Sequence, residues 1–430
     1  MNEDFLHYLW KHKKFELCNL KTTQEQEVVI KRVGVHNINE SGPDFFNAMI
    51  AINGQKWAGN VEIHMKSSDW YTHNHENDKA YDNVILHVVW EDNVSVFRKD
   101  NTLLPALQLK DYVSKEMLLR YKELFEQSNT IWISCEKQFS KVPDFILSNW
   151  QERLFIERLE QKSILILELL KKTSNDWEAV LFKLLAKNFG LKINGDAFLS
   201  LANSLDFSIV RKCSKDLHKL EALFFGQAGF FEDGINNSYA KKLAEEYNFL
   251  KNKFKLNSVG VIRPQFFRLR PLNFPTIRLA QFANLYHTNQ RLFNDIIIFN
   301  DLTKMYTLFK VGVSSFWEDH YTFNKQSVKR SKNLTDSFID LLFINTVIPM
   351  KFVYAKNQGK NLEDQVFKLI SNISRENNRL VNDFENLGAP IKNALHSQAI
   401  IQLKSKYCDQ KACLQCAIGN YLLNRDQSLG

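Results

Sequence analysis

Proline and glycine are scarce in this chain, at 8 and 15 of 430 residues, and cysteine is scarcer still, at 6. So few turn formers exclude a low-complexity or collagen-like chain. Six cysteines, half scattered and half clustered, exclude a disulfide framework of the secreted kind. No apolar run reaches the roughly 18 residues that a membrane span needs, and the longest candidate, Phe338 to Pro349, is too short. The opening Met-Asn-Glu-Asp has no basic segment leading into an apolar one, so export is not expected. The expectation is a cytoplasmic protein with no membrane partner. No internal repeat of fixed period is present.

What is there describes an ordinary helix-rich globular protein, 44% hydrophobic and 24% charged. A length of 430 residues makes two or three domains the expectation. The 33 phenylalanines read as core filling. A net charge of +8 is compatible with a polyanionic partner, DNA or RNA, and is also common without one.

Strand signals concentrate in the first 110 or so residues. Asp4 to Phe15 has the period of a short amphipathic helix, followed by strands over Glu27–Val33, Phe45–Asn53 and Trp57–Met65, the last two joined at an Asn-Gly turn. A short helix is expected over Asn77–Asp82, then a continuous apolar strand over Asn83–Trp90 of the kind buried on both faces. Ser95–Arg98 and Ala106–Leu109 read as edge strands. From Ser114 onward apolar residues recur three and four apart almost throughout, as over Phe145–Lys171, Trp177–Asn188 and Tyr239–Lys253. The expected class is mixed, α+β: an α/β domain over 1–112, a linker over 113–142 and a large helical domain over 143–430 that ends in a cysteine triplet.

One row of residues stands out within the strand-rich part. Glu62, His64 and Lys66 occupy alternate positions of a strand whose other face is Val61, Ile63 and Met65, and Asp44 lies on a Gly42-Pro43-Asp44 turn before the neighbouring strand. Two carboxylates on adjacent strands can hold a hard cation through one or two contacts each, and a nearby imidazole or amine can accept a proton or stabilise charge. The same row also reads as a surface hairpin with ordinary polar residues outward. Five of the 11 histidines (His36, His64, His73, His75, His87) fall within an eighth of the chain, which suggests a site. His64, His73 and His75, with His87 as a further candidate, are alternative Zn²⁺ or Fe²⁺ ligands, although His87, inside an apolar strand, fits a hydrogen-bonded core residue better. Trp57 and Trp70 fit packing better than stacking on a ligand.

The order of helix, three strands, helix and strand, with Asp44 before the second strand and Glu62-x-His64 in the third, resembles the core of the PD-(D/E)xK nuclease superfamily. That resemblance implies a restriction-endonuclease-like α/β core in which Asp44 and Glu62 bind Mg²⁺ or Mn²⁺. His64 stands where the family usually has a lysine that orients or activates the attacking water, and Lys66 is the alternative source of that cation. On this resemblance the expected activity is metal-dependent hydrolysis of DNA or RNA. A binding module that has lost catalysis and a histidine-liganded hydrolase of small substrates are the alternatives.

Two further stretches carry candidate chemistry. Cys408-x4-Cys413-x2-Cys416 supplies three thiolates for Zn²⁺ or an iron–sulfur cluster, with Cys135 or His396 as the fourth ligand; free thiols are the competing reading. Some nucleases of the superfamily resembled do carry one remote and three C-terminal cysteines, a loose parallel, since Cys135 here follows the core. Between Val259 and Arg278, four arginines (Arg263, Arg268, Arg270, Arg278) are interleaved with Phe266, Phe267, Phe274 and three prolines, with no acidic residue. Such a segment can contact nucleic acid, or form a rigid loop whose arginines pair within the helical region. Over essentially its full length the chain is also similar to a bacterial family of uncharacterised proteins. Gly-Pro-Asp-Phe (42–45), Gly-Asn-Val-Glu-Ile-His (59–64), Ser-Asp-Trp (68–70), His-x-His (73–75), Arg-Pro-x-x-Phe-Pro (270–275) and the cysteine triplet carry that similarity.

Overall fold

The computed structural model describes residues 1–38, 41–125, 132–232, 237–360 and 363–425. These divide into two compact units, one formed by the described residues of Met1–Trp150, Leu387–Ala389 and Leu403–Gly430, the other by those of Gln151–Asn386 and Pro390–Gln402. The sequence-based partition at 112 and 142 is drawn differently. Helix Lys115–Phe125 and the turn Glu136–Lys141 belong to the first unit, as does the C-terminal cysteine segment, and residues 126–131 of the expected linker lie outside the described residues.

The first unit is built on a mixed sheet. Its strands are β1 (Val28–Arg32), β2 (Val35–His36), β3 (Phe45–Ile52), β4 (Gln55–Lys66), β5 (Val84–Glu91) and β6 (Ala106–Gln108). The order is β1-β3-β4-β5-β6, with β2 pairing to β3. The pairs β1–β3 and β3–β4 are antiparallel, whereas β4–β5 and β5–β6 are parallel. Asn53 and Gly54 both take positive φ, 48° and 78°, the left-handed pair that a two-residue hairpin turn requires. β4 therefore has a neighbour on each side, and four consecutive side chains, Val61, Glu62, Ile63 and His64, are all buried. In this strand the polar face is as deep as the apolar one.

Helix α1 (Glu3–His12) packs against β4 through a face that buries Phe5, Leu6, Leu9 and Trp10. The chain leaves β4 through α2 (Asp69–Thr72) and two short turns, His75–Asn77 and Lys79–Tyr81, before entering β5. Trp70 and Tyr81 from this crossover form a small core with Val84, Val96 and Leu104, so Trp70 is a packing residue, whereas Trp57 is half exposed. The Ser95–Arg98 strand is not formed. Only an isolated Phe97–Leu103 bridge remains, because the Arg98 guanidinium turns back to the Val84 carbonyl and closes the loop on itself. The helix α3 (Lys115–Phe125) packs against the C-terminal helix Ala417–Asn424, with Arg120 Nη1 donating to the Leu423 carbonyl at 3.2 Å.

The second unit is helical apart from a two-stranded ribbon, His320–Thr322 with Lys325–Gln326. Its phenylalanines fill the core as expected: Phe182, Phe189 and Phe224 surround Phe282 at ring separations of 5.0–5.3 Å. One helix is longer than its apolar run suggested. Asp336–Asn357 is continuous for 22 residues and apolar enough to cross a membrane by length and composition, yet 78% of its most apolar stretch is buried inside the protein. Lys351 on this helix is also buried, its amine donating to the carbonyls of Ile296, Ile297 and Phe299 at 2.9–3.0 Å, and burial pulls it down to about 8. These are the properties of a core helix.

Gly59 marks the tightest approach of β4 to β5. A Cβ there would stand 2.4 Å from Ile85 Cγ2 and 2.6 Å from the Asn83 carbonyl oxygen, beside the register shift at Asn60–Val61. Gly59→Ala is expected to destabilise the first unit by about 1–3 kcal/mol, the usual range for overpacking. Thermal unfolding of the variant against the natural protein checks this, with a lowered melting temperature as the expected result.

Candidate metal centre

The sheet brings Asp44 and Glu62 together by reciprocal main-chain bonds. Asp44 enters β3 beside β4, its Oδ2 accepts the N–H of Ile63 at 2.9 Å, and its own N–H donates to Glu62 Oε2 at 3.1 Å. The register Phe45↔Val61 fixes this meeting. Each acid is thus held by the strand of the other. Gly42, at φ 112°, makes the turn that aims Asp44 into the pair.

Imidazoles from α1, β4 and the crossover surround the two acids. His7 Nε2 lies 3.2 Å from Asp44 Oδ2, while His75 Nε2 and His64 Nε2 lie 3.3 and 3.5 Å from Glu62 Oε1. His64 Nδ1 meets His87 Nε2 at 2.9 Å, and His64 Nε2 meets His73 Nδ1 at 3.1 Å. In His64, His73 and His75 one ring nitrogen of each lies within 4.8 Å of the others. His64 and His87 are buried and His73 is exposed, so the chain of rings runs from the sheet interior to solvent.

Burial decides the charge states. It pushes Glu62 up to about 9, with the Asp44 charge adding to the effect, so near neutral pH this carboxyl holds its proton. Burial also drives His64 down to about 3, helped by the neighbouring His75 and His73, and His87 still further below its ordinary value. His75 is lowered by burial as well. His7 is the exception: burial opposes its charge, but the Asp44 carboxylate outweighs burial and raises it. The His64–Glu62 contact is therefore one between two neutral groups, whereas the contact with Asp44 favours the charged form of His7.

The donor set fits a divalent cation. His7 Nε2 and His75 Nε2 are buried and face the carboxylates at 3.2 and 3.3 Å, without a hydrogen bond of good geometry. An orphaned buried polar atom costs about 1–3 kcal/mol. Neutral imidazoles and carboxylates are the forms that ligate metals. A mixture of nitrogen and oxygen donors suits Mn²⁺, Zn²⁺ or Fe²⁺ better than Mg²⁺, which prefers oxygen alone.

Of the residues picked out in the sequence, Asp44, Glu62, His64, His73 and His75 converge here, and His87 stands behind them as a buried partner of His64. Lys66 is exposed at the end of the row, its backbone N–H bonded to Asp69 Oδ2. His36 stacks on Phe45 at 4.7 Å, 5.3 Å from the His7 ring. His7 itself was not anticipated. Its only sequence signal is its place four residues after Glu3 on α1, a carboxyl whose own value is raised by burial and by Asp44.

The arginine-rich stretch lies in the second unit and does not act as one patch. Arg263, Arg268 and Arg270 are exposed, and Arg268 lies over the Phe267 ring at 5.1 Å. Arg278 is buried: it donates to Gln281 and Asn273, sits 3.6 Å over the Phe338 ring, and is pulled by burial down to about 10. Its place on the helix Pro275–Thr288 turns it into the core, so it is a packing residue rather than a contact for nucleic acid. Cys135, Cys408, Cys413 and Cys416 line one cavity in the first unit. His396 is engaged elsewhere, its Nδ1 accepting the N–H of Lys392.

Residues 3–379 match the model of a family described as a protein of unknown function, DUF2851. The chain belongs to that family. No curated protein and no solved structure matches it.

The charge states predict how the metal-free protein responds to pH. Glu62 titrates at about 9 when folded and near 4.5 when unfolded, so its contribution is full below 4.5 and is lost as pH rises through 9. His64 titrates at about 3 when folded and near 6.5 when unfolded, so its contribution is present above 6.5 and is lost as pH falls. Between 4.5 and 6.5 the two oppose each other, and above 6.5 only the Glu62 effect remains. Buried Lys162 and Lys351, pulled down to about 7 and about 8, act in the opposite sense over this range, so the Glu62 effect is read by difference. From pH 7 to pH 9 the natural protein is expected to lose melting temperature relative to Glu62→Gln, whose slope lacks the Glu62 contribution. An unchanged slope in the variant would rule out the assignment.

Proposed function

We propose that this protein is a cytoplasmic, divalent-metal-dependent hydrolase of nucleic-acid phosphodiesters. The observation that carries the reading is the pairing of Asp44 with Glu62 across β3 and β4, with the Nε2 atoms of His7, His64 and His75 within 3.5 Å of the two acids. The strand arrangement adds support: a helix, an antiparallel run of β1, β3 and β4, then a helical crossover to the parallel β5, as in the nuclease core that the sequence resembles. The net charge of +8 and the exposed Arg263, Arg268 and Arg270 suit a polyanionic substrate.

Asp44, Glu62 and His75 would hold the cation, with His7 orienting Asp44. Bound there, Mn²⁺ or a similar ion neutralises charge on the phosphoryl oxygens and makes water more acidic. Glu62 releases its proton when the ion binds, since only the carboxylate is a ligand. His64, driven down to about 3 by burial, is a poor proton acceptor at neutral pH. Its role is to link His87 to His73 and to hold the row in place. His73, exposed and 3.1 Å from His64 Nε2, brings the row of rings out to solvent. Lys66, exposed beyond the row, contacts the substrate backbone.

A second reading rests on the closeness of His64, His73 and His75. Three imidazoles at that spacing suit Zn²⁺ or Fe²⁺ acting on a small substrate.

Labelled single- and double-stranded DNA and RNA, incubated with Mn²⁺ or Mg²⁺, separate these readings. Cleavage by the natural protein that falls by about a hundredfold or more in Glu62→Ala and in Asp44→Ala is the expected result, since even residues behind a ligand are worth 10–100-fold. Salt-sensitive binding without cleavage, unchanged in both variants, would mean a binding module. Inactivity towards every nucleic acid, with Zn²⁺ lost from His73→Ala and His75→Ala, would favour the small-substrate hydrolase.

A further inference from the structure

The cysteine cavity is independent of the acid pair. Cys135, Cys408, Cys413 and Cys416 line it together with Ser134 and Tyr407. Four of the six cysteines of the chain thus line one cavity, although Cys135 and Cys408 are 273 positions apart in sequence. None of the four is in a disulfide, and all are buried except Cys408, which is half-buried. A random gathering of hydrophobic thiols would not need the local backbone seen here.

The loop from Cys408 to Cys413 folds back through Lys411, at φ 52°, with the Ala412 N–H on the Tyr407 carbonyl at 2.8 Å and the Lys411 N–H on the Cys408 carbonyl at 3.2 Å. A short turn, Cys413–Gln415, follows, and Cys416 then caps the helix Ala417–Asn424. The N–H groups of Ile418 and Gly419 point to the Cys416 sulfur, and the Ser134 hydroxyl to that of Cys413. Burial raises all four thiols, and these donors pull Cys413 and Cys416 in the opposite direction. Gly419 has no alternative, because a Cβ would stand 2.1 Å from the Cys413 carbonyl oxygen. Cys135 likewise precedes the turn Glu136–Lys141. The sulfurs are carried by two tight knuckles and by the segment before a turn.

We propose that Cys135, Cys408, Cys413 and Cys416 form a tetrathiolate centre for a thiophilic metal, either Zn²⁺ or an iron–sulfur cluster. Both take four thiolates, and each thiol gives its proton to solvent on binding. The centre fastens the C-terminal segment to the 132–141 segment within the first unit. A clip across so long a loop restricts the unfolded chain strongly, and metal affinity becomes stability of this unit. It is a structural centre, separate from the reading of the acid pair.

The test is metal and sulfide analysis of the full chain purified without oxygen, with its visible spectrum. Either one Zn²⁺ per chain or about four iron and four sulfide with visible charge-transfer absorbance is expected, and the two results identify the metal. The thiolate-bound Zn²⁺, or the iron and sulfide, is expected to be lost in Cys413→Ser but kept in Cys18→Ser, whose cysteine is exposed and outside the cavity. Should Cys413→Ser fail to fold, the natural protein settles the matter: a strong chelator is expected to lower its melting temperature, and the metal to restore it. Metal-free purified protein with a melting temperature unmoved by Zn²⁺ and by iron–sulfur reconstitution would overturn the proposal. Metal that stays in Cys413→Ser but leaves in His75→Ala would do so as well.

Discussion

Two carboxyl groups held side by side at the edge of the protein interior are the constraint on which the site depends. Asp44 and Glu62 are not brought together by side-chain attraction, since two carboxylates repel. They are fixed by main-chain N–H groups across the β3–β4 pair, so the electrostatic cost is met by the folding of the sheet. The protein lowers that cost by leaving Glu62 protonated and by placing His7 against Asp44. A cation between the acids would remove the remainder. The same burial that makes Glu62 reluctant to ionise keeps His64, His75 and His87 neutral, the form of imidazole that can ligate.

The rest of the first unit can be understood as support for that arrangement. Because β4 pairs with β3 on one side and β5 on the other, Glu62 and His64 are flanked by strands and cannot turn out to solvent. The parallel β4–β5 step needs a crossover, and the crossover carries His73 and His75 back over the row. α1 covers the sheet and brings His7. Four stretches of chain thus place one or more groups each, and the small core around Trp70 and Tyr81 fixes the crossover that carries two of them. The tetrathiolate proposal extends the same logic to the C-terminal segment, which packs on α1 and α3.

Much of this was legible in the sequence. The Asn53-Gly54 turn marked the hairpin of β3 and β4, and the continuous apolar run of Val84 to Val89 marked β5 as a strand buried on both faces. Period-two alternation then put Glu62 and His64 on one face, with Asp44 at the neighbouring strand. What could not be read depends on tertiary packing. His7 reaches Asp44 only because α1 lies across the sheet, and no local pattern distinguishes it from a surface histidine. Arg278 looked like its exposed neighbours until the helix Pro275–Thr288 turned it onto Phe338. The helix Asp336–Asn357 was longer than its apolar run because Lys351 is satisfied by three carbonyls rather than by water. Cys135 was one of two candidates for a fourth ligand beside the cysteine triplet, and only the fold, which places Cys135 and not His396 in the cavity, separated them.

The most direct test of the central claim is calorimetric titration of metal-free protein with Mn²⁺ at pH 7 in two buffers of different ionisation enthalpy. If Asp44 and Glu62 form the metal centre, one ion binds and about one proton is released, because Glu62 must ionise to ligate. Affinity and proton release should both be lost in Glu62→Gln. Absence of binding, or binding with the same affinity and proton release in the variant, would contradict the account.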